Sequence, residues 1–382
     1  MMVFQQPSGM LPDIHKIAVL RANALGDFIF CLPALTALKA TYPQAEIVLL
    51  ARGWHQKFWA NRPGPVDRVL VIPEGGIGQE SEIGQDPEEV VRFFAAMRAE
   101  KFDLAIQMHG GGRNSNPFTL NLEARTTIGL CTPDALLLDR WIPYIHYQSE
   151  VIRFLELVAL VGARPDDVEP RIQITAADLA EAEAIVPEGR SGLDQAIVAL
   201  HPGATDSRRR WPTEKFAAVG DALASQGAQV FVTGTEPERP LVEAVVNQMQ
   251  TKAGSLCGRL SLNGLAGFLS RCSVVVTNDS GPMHLATAVG SATVGIYWCG
   301  NVITAGIPGR SFHRPAISWR LNCPVCGVDC TQAECNHQES FVADVTVEEV
   351  LESAIQLLEF RRILGMGNGQ GVVGGAYSPF PI

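Results

Sequence analysis

Five groups of residues have the types and spacing to do chemistry. Asp27 closes the turn Asn23-Ala24-Leu25-Gly26-Asp27 behind the apolar run IAVLRA, where a carboxylate can take a proton from a hydroxyl. Asp is also a favoured helix cap, and spacing alone gives that role the larger share. His201-Pro202-Gly203-Ala204, followed by Arg208-Arg209-Arg210-Trp211-Pro212, combines a glycine that permits close approach with guanidinium forks suited to phosphate oxygens. The plain alternative is a solvated charged loop. Thr233-Gly234-Thr235-Glu236-Pro237-Glu238 follows the run AQVFV, and an acid so placed can bind ribose hydroxyls or simply open a helix. Ser273–Gly290, SVVVTNDSGPMHLATAVG, reads as a buried strand, a polar turn and a helix begun by Pro282. The unpaired N–H groups and positive dipole end of that helix suit an anion. No Lys or Arg lies inside the stretch, so a cationic partner must come from elsewhere, and Arg208–Arg210 supply one. His284 falls in the first helical turn, near any bound anion, with a capping or core role as the alternative.

The fifth group is Cys323-Pro324-Val325-Cys326-Gly327 with Cys330, Cys335 and nearby His337. C-P-x-C-G is a knuckle whose glycine lets backbone N–H groups face thiolate sulfurs, and four soft ligands suit tetrahedral zinc or an iron–sulfur cluster. Cys323, Cys326, Cys330 and Cys335 are the candidate structural metal ligands, against the alternative of reduced thiols in a surface loop. The other cysteines, Cys31, Cys131, Cys257, Cys272 and Cys299, sit among apolar neighbours and read as core.

The elements that must position these groups alternate between strand and helix. In the first half, strands are expected at 16–22, 46–51, 68–72 and 103–108, with helices over 28–43, 87–100 and 149–161. The loop His109-Gly110-Gly111-Gly112-Arg113-Asn114 follows the fourth strand, and Arg164–Asp178 reads as the exit from the first domain. The second series has strands at 196–200, 228–234, 274–276 and 292–300, with helices at 213–225, 240–250 and 262–270. A terminal helix over 346–364 opens on the capping box Thr346-Val347-Glu348-Glu349. The first turn, 23–27, is not G-x-G-x-x-G, which removes the main support for a nicotinamide or flavin enzyme. The pattern implies an α/β protein of two doubly wound halves facing across a cleft.

A chain of 382 residues suits two domains of about 150–200 residues each. Hydrophobic residues at 47% and charged residues at 18% exclude a disordered class. No apolar run reaches the roughly 18 residues that span a bilayer, and the first residues lack a basic-then-apolar secretion pattern, so a cytoplasmic location is expected. A net charge of −10 argues against a general nucleic-acid partner.

Taken together, ALGDFIFCLPAL (24–35), HPGATDSRRRWP (201–212), VTGTEPE (232–238) and NDSGPMHLATAVG (278–290) resemble glycosyltransferase family 9, the ADP-heptose:lipopolysaccharide heptosyltransferases and their relatives. The likeness runs over about 16–350. It implies a GT-B fold of two Rossmann-like domains: an acceptor domain over 1–172 and a nucleotide-sugar donor domain over 173–345, with the helix 346–364 packing back toward the first domain; the tail 365–382 reads as disordered from its Gly-rich composition. It also implies an inverting transfer of heptose or a related sugar to a saccharide or lipopolysaccharide-core acceptor, with an ADP-sugar favoured as donor and no cofactor required. Asp27 matches the family's general base, which moves the balance from cap to catalyst. Arg209 matches the pyrophosphate contact, Glu238 the ribose acid, and Asp279, Ser280, Gly281 and His284 the donor-phosphate loop, with Gly26, Gly203 and Gly234 in supporting turns. Cys299-Gly300-Asn301-Val302 stands where many members have a Gly-Pro-Thr-Asp-like turn. A peripheral contact with the inner membrane, at its cytoplasmic face, and the oligomeric state stay open. Two other classes remain: a nucleotide-sugar epimerase or hydrolase of the same fold, and a non-catalytic nucleotide-sugar-binding module.

Overall fold

A computed structural model describes residues 9–73, 77, 87–187, 196–309 and 311–364. The tail 365–382, expected to be disordered, and residues 1–8 lie outside the described residues. The chain divides into two compact units, 1–170 and 171–382, whereas the sequence places the division at 172.

The first unit is built on six parallel strands: β1 (Lys16–Leu20), β2 (Glu46–Ala51), β3 (Arg68–Val71), β4 (Leu104–Gln107), β5 (Thr126–Cys131) and β6 (Arg140–Pro143), in the order β3-β2-β1-β4-β5-β6. Its helices are α1 (Leu25–Thr41), α2 (Gly53–Trp59), α3 (Pro87–Ala99), α4 (Ser115–Leu120) and α5 (Glu150–Ala159). Ile17 to Leu20 are buried, as are Ile47 to Ala51, because helices cover a parallel sheet on both faces. The chain starts in the middle of the sheet and reverses its direction of travel between β1 and β4. That reversal opens a crevice at the strands' carboxyl ends.

The second unit repeats the plan. Its strands are β7 (Ile197–His201), β8 (Gln229–Val232), β9 (Gly254–Ser255), β10 (Val274–Asn278), β11 (Ala292–Trp298) and β12 (His313–Ser318), in the order β12-β11-β10-β7-β8-β9, all parallel. The helices are α6 (Ala176–Ile185), α7 (Thr213–Ser225), α8 (Arg239–Gln248), α9 (Leu262–Ser270), α10 (Gly281–Ala288), α11 (Cys299–Ala305) and α12 (Val347–Ile363). Here the reversal lies between β7 and β10, so the loops beginning at Pro202 and Asp279 flank one crevice.

Several expectations need correction. The turn 23–27 becomes helix from Leu25, so Asp27 sits inside the first turn of α1. The strand expected over 292–300 stops at Trp298, where α11 begins. The exit segment ends in α6, whose Thr175 hydroxyl accepts the Asp178 N–H while the Asp178 carboxylate accepts the Thr175 N–H. The terminal helix, expected to pack toward the first unit, buries Val350, Ala354 and Leu357 in the second unit's own core, beside Trp211, Phe216 and Val345. Its apolar stripe finds β10–β12 and α7 because the strap before it is tied there: the Trp211 indole N–H donates to the Val345 carbonyl at 3.0 Å.

Trp211 is thus a buried aromatic with a satisfied polar handle. Trp211→Ala is expected to lower the stability of the second unit by about 3–5 kcal/mol, read from the shift of its urea-unfolding transition. Trp211→Phe should cost less than half as much.

Candidate active site

The second unit's crevice gathers the groups expected to hold a donor. Asn278, the last residue of β10, is buried, and its amide joins the two loops: Oδ1 accepts the Trp211 N–H at 3.0 Å and Nδ2 donates to the Pro202 carbonyl at 2.8 Å. Next comes Asp279, 2% exposed, whose Oδ2 lies 3.1 Å from Arg209 Nη1 and whose Oδ1 lies 3.3 Å from His284 Nε2. Asp279 therefore aims a cation and an imidazole. Both of its carboxylate oxygens are thus faced by protein groups, one on each side.

Ser280 is the N-cap of α10, with an extended backbone at φ −155° and ψ 165° and its hydroxyl 3.3 Å from Thr277 Oγ1. The Gly281 N–H falls among the first-turn groups that a helix cannot satisfy, and Pro282 has none to satisfy. Arg209, about a quarter exposed, stands at this end on a single 3₁₀ turn, Ser207–Arg209, capped by the Asp206 carboxylate.

On the other side of β7, Glu238 Oε2 accepts both the N–H and the hydroxyl of Thr235 at 2.8 Å. A methyl group at Gly203 would meet the Glu238 carboxylate and press on His201 Nε2, so a side chain there would push that acid away from the strand end. Gly234 plays the same part against Val242. His201 is buried beside Thr233, and burial lowers its pKa against the opposing pull of Glu238. An acid, a cation and a helix N-terminus thus border one crevice.

The first unit's crevice holds Asp27. Its Oδ2 accepts the Ala24 N–H at 3.2 Å, which is the cap role, while Oδ1 lies 3.5 Å from Nη2 of the buried Arg21 and the side chain stays 40% exposed. The two roles coexist on one carboxylate. Arg21 in turn donates through Nε to the Asp27 carbonyl and through Nη1 to the Met108 carbonyl, and its guanidinium stacks 4.7 Å from the Phe154 ring centroid. It thereby ties the loop after β1 to the loop after β4. That second loop, His109–Asn114, borders a cavity of about 380 Å³ shared with Thr132, Asp134 and Tyr144. Gln107, fully buried, shapes it by donating to the His109 and Gly110 carbonyls. Gly112 has φ +97°, and a side chain there would strike Asn116 and the Leu130 carbonyl.

The first unit thus presents a part-exposed carboxylate beside a buried guanidinium, and the second an acid, a cation and a helix N-terminus after its parallel strands. The sequence profile of glycosyltransferase family 9 (heptosyltransferase) matches residues 90–306, more than half of the chain, and that span includes Arg209, Glu238, Asp279, Ser280, Gly281 and His284. The chain belongs to glycosyltransferase family 9. It is a glycosyltransferase. Lipopolysaccharide heptosyltransferase 2 of Salmonella typhimurium is 25% identical over 303 residues, covering 74% of this chain and 82% of that protein. Among solved structures, a family 9 glycosyl transferase from Veillonella parvula superimposes with a TM-score of 0.76 at 21% identity, over 92% of this chain and 99% of that one. The E. coli ADP-heptose lps heptosyltransferase II gives 0.71 at 19% identity, over 91% and 99%. These two likenesses carry the fold.

Within this family member the crevices use three residues that the sequence does not single out. Asn278 reads there as part of a turn, although its position at the end of a buried strand is a usable signal. Arg21 reads as part of a strand, and His109 as the start of a loop. At the knuckle, the four donor atoms that come together are those of Cys323, Cys326, Cys335 and His337, all within 4.8 Å of one another, with Cys330 outside the group. Cys330 is drawn away because its N–H pairs with the Leu321 carbonyl and its thiol turns to the Val328 carbonyl.

The Nδ1 of His109 accepts the Ala22 N–H at 3.3 Å, which leaves the proton on Nε2. Burial, then the charges of Arg21 and Arg52, push its pKa down to about 4, and burial pushes that of His55 down to about 3. Both imidazoles are neutral when folded and gain a proton at about pH 6.5 when unfolded. Unfolding therefore takes up protons below that point, and the stability present above pH 6.5 is lost as pH falls toward 4, by up to about 1.4 kcal/mol per pH unit for each histidine. Thermal unfolding followed over this window should show the decline, and His109→Asn, which keeps an acceptor for Ala22, should make it shallower. Parallel curves for the two proteins would refute the assignment.

Proposed function

We propose that this transferase moves heptose, or a closely related sugar, from an ADP-linked donor to a saccharide of the lipopolysaccharide core, with inversion at the anomeric carbon. The observation that carries the reading is that Arg209 and the α10 N-terminus stand together where the second sheet reverses its strand order, with Glu238 following the next strand, β8. The diphosphate takes the Ser280 and Gly281 N–H groups and the Ser280 hydroxyl, with Arg209 as the cationic fork and His284 beside it. Glu238 takes the ribose hydroxyls. The printed names of the Salmonella and E. coli relatives, a lipopolysaccharide heptosyltransferase and an ADP-heptose lps heptosyltransferase, support the choice of sugar, nucleotide and acceptor class.

In this reading Asp27 accepts the proton of the attacking acceptor hydroxyl, held in place by the Ala24 N–H and by Arg21. The new bond forms at the anomeric carbon as the bond to the β-phosphate oxygen breaks, and the electron pair leaves with the nucleoside diphosphate. Preorganised donors meet that growing charge, the effect that lowers such barriers most. The cavity under His109–Asn114, with the His109 Nε2–H, Arg113 and Asp134 at its border, suits the hydroxyls of the acceptor sugar. No described helix is long and apolar enough to cross a membrane. A glycolipid acceptor places the reaction at the cytoplasmic face of the inner membrane, through peripheral contact.

Asp27→Asn should leave ADP affinity within about twofold and cut transfer at least about 10³-fold, the scale of losing general base catalysis; a purified variant with near-normal turnover would overturn the base assignment. Arg209→Ala should weaken ADP binding by about tenfold or more, the scale of a charge-assisted hydrogen bond, and flatten its salt dependence. Calorimetry with ADP at two ionic strengths reads both, and unchanged affinity would count against the phosphate role.

A further inference from the structure

The stretch between β12 and α12, residues 319–346, is unusual inside a compact unit. Its regular pairing among described residues is one isolated bridge, Asn322 with Asp329. Long irregular segments are costly to order, and a packed one needs a staple. The knuckle has the shape of one. Gly327 takes φ +73°, its N–H donates to the Cys323 carbonyl at 3.0 Å, the Cys323 N–H donates to the Val328 carbonyl at 2.8 Å, and the Val325 N–H points at Cys323 Sγ from 3.5 Å. Cys335 Sγ lies 3.6 Å from His337 Nδ1. In a tetrahedral zinc site, bonds of about 2.3 Å to sulfur and about 2.0 Å to nitrogen put the ligand atoms about 3.5–3.8 Å apart. The four donor atoms, already within 4.8 Å, need to close by only about an ångström. Three thiolates and an imidazole form a closed, soft set with no position left for substrate, which is the signature of a structural ion.

Beyond His337 the chain runs along the loop that carries Arg209, and there the knuckle gains its leverage. The Ser207 hydroxyl donates to Gln338 Oε1 at 2.7 Å, the Phe341 N–H to the Arg208 carbonyl at 2.7 Å and the Ser340 hydroxyl to the Arg210 carbonyl at 2.6 Å. Arg208 stands 5.7 Å over the Phe341 ring. Lys215 closes the strap by donating to the Ala343 and Val345 carbonyls. Each neighbour of Arg209 on this short turn is thus pinned by a residue within four positions of His337.

We propose that a zinc-class divalent ion bound by Cys323, Cys326, Cys335 and His337 anchors this strap and so holds the Arg209 loop ready for the donor's diphosphate. The three thiols lose their protons to solvent as the ion binds. The coupling to the donor rests on the reading of Arg209 as its phosphate contact, whereas the ion site and its bracing of the loop do not.

The test uses the full-length protein, stripped with a chelator under reducing conditions and titrated with Zn²⁺ or, for its thiolate absorption, Co²⁺. One equivalent should bind. Cys326→Ser should lose about a hundredfold or more in metal affinity, and Cys330→Ser should match the parent. Absence of saturable uptake, or equal losses in the two variants, would overturn the site. Reloading with Zn²⁺ should slow exchange of the Phe341 amide by at least about tenfold and tighten ADP binding by about the same factor, the gain from preorganisation. An unaltered Phe341 exchange rate in the loaded protein would overturn the brace. Slowed exchange with unmoved ADP affinity would overturn the link to the donor, whereas the phosphate role of Arg209 stands or falls separately on the ADP affinity of Arg209→Ala.

Discussion

One buried amide holds the second unit's crevice in shape. Asn278 stands buried at the carboxyl end of β10 and satisfies itself by gripping the loop after β7 at two points, Pro202 and Trp211. Everything proposed for the donor depends on that grip. It sets the distance between the polypeptide carrying Arg209 and the polypeptide carrying Asp279, and so allows their ion pair to form. An apolar residue of the same size would leave a buried carbonyl and a buried N–H without partners, at about 1–3 kcal/mol each. The first unit solves the corresponding problem with a charge: Arg21, buried under Phe154, bonds the Asp27 and Met108 carbonyls and draws the loops after β1 and β4 together. Each pair of loops lies where its sheet reverses direction, and each is bridged by a buried polar side chain.

How much of this the sequence shows depends on what a segment buries. The central strands β1, β2, β7 and β10 are runs of Ile, Val, Leu and Ala covered on both faces, and such runs are readable because nothing else accommodates them. The edge strand β6, RWIP, and the strand β12, HRPAIS, carry charges and proline, and they pair only because a neighbouring strand is already present. In the sequence α11 merges with the preceding strand because CGN has no helical signature; its boundary is set by Trp298, whose indole N–H reaches the Arg320 carbonyl.

The candidate site divides in the same way. Arg209, Glu238 and the 279–284 loop are legible as motifs because their residue types are rare just after buried strands. Asp27 is legible as a carboxylate in the right place, but not as the third residue of a helix, since Leu25 and Gly26 give no start signal. The knuckle is legible as a cluster but not in its membership. Spacing ranks Cys330 with its neighbours, and only the pairing of its backbone with Leu321 removes it and lets His337 in. Asp279 is the most informative case. As a letter in a motif it looks like a ligand, and in the fold it is a buried acid whose oxygens face Arg209 and His284.

That arrangement bears on turnover. A guanidinium already paired with an internal carboxylate is not waiting in open solvent, so on the proposed reading a diphosphate must share or displace a partner that never leaves the protein. Asp279 then acts as a resident competitor. It limits how tightly the spent nucleotide can cling once the sugar has gone, and it recaptures Arg209 as that nucleotide departs. A site built only from cations would hold its product longer. On that same reading, the carboxylate beside Arg209 would trade ground-state affinity for faster clearing of the crevice.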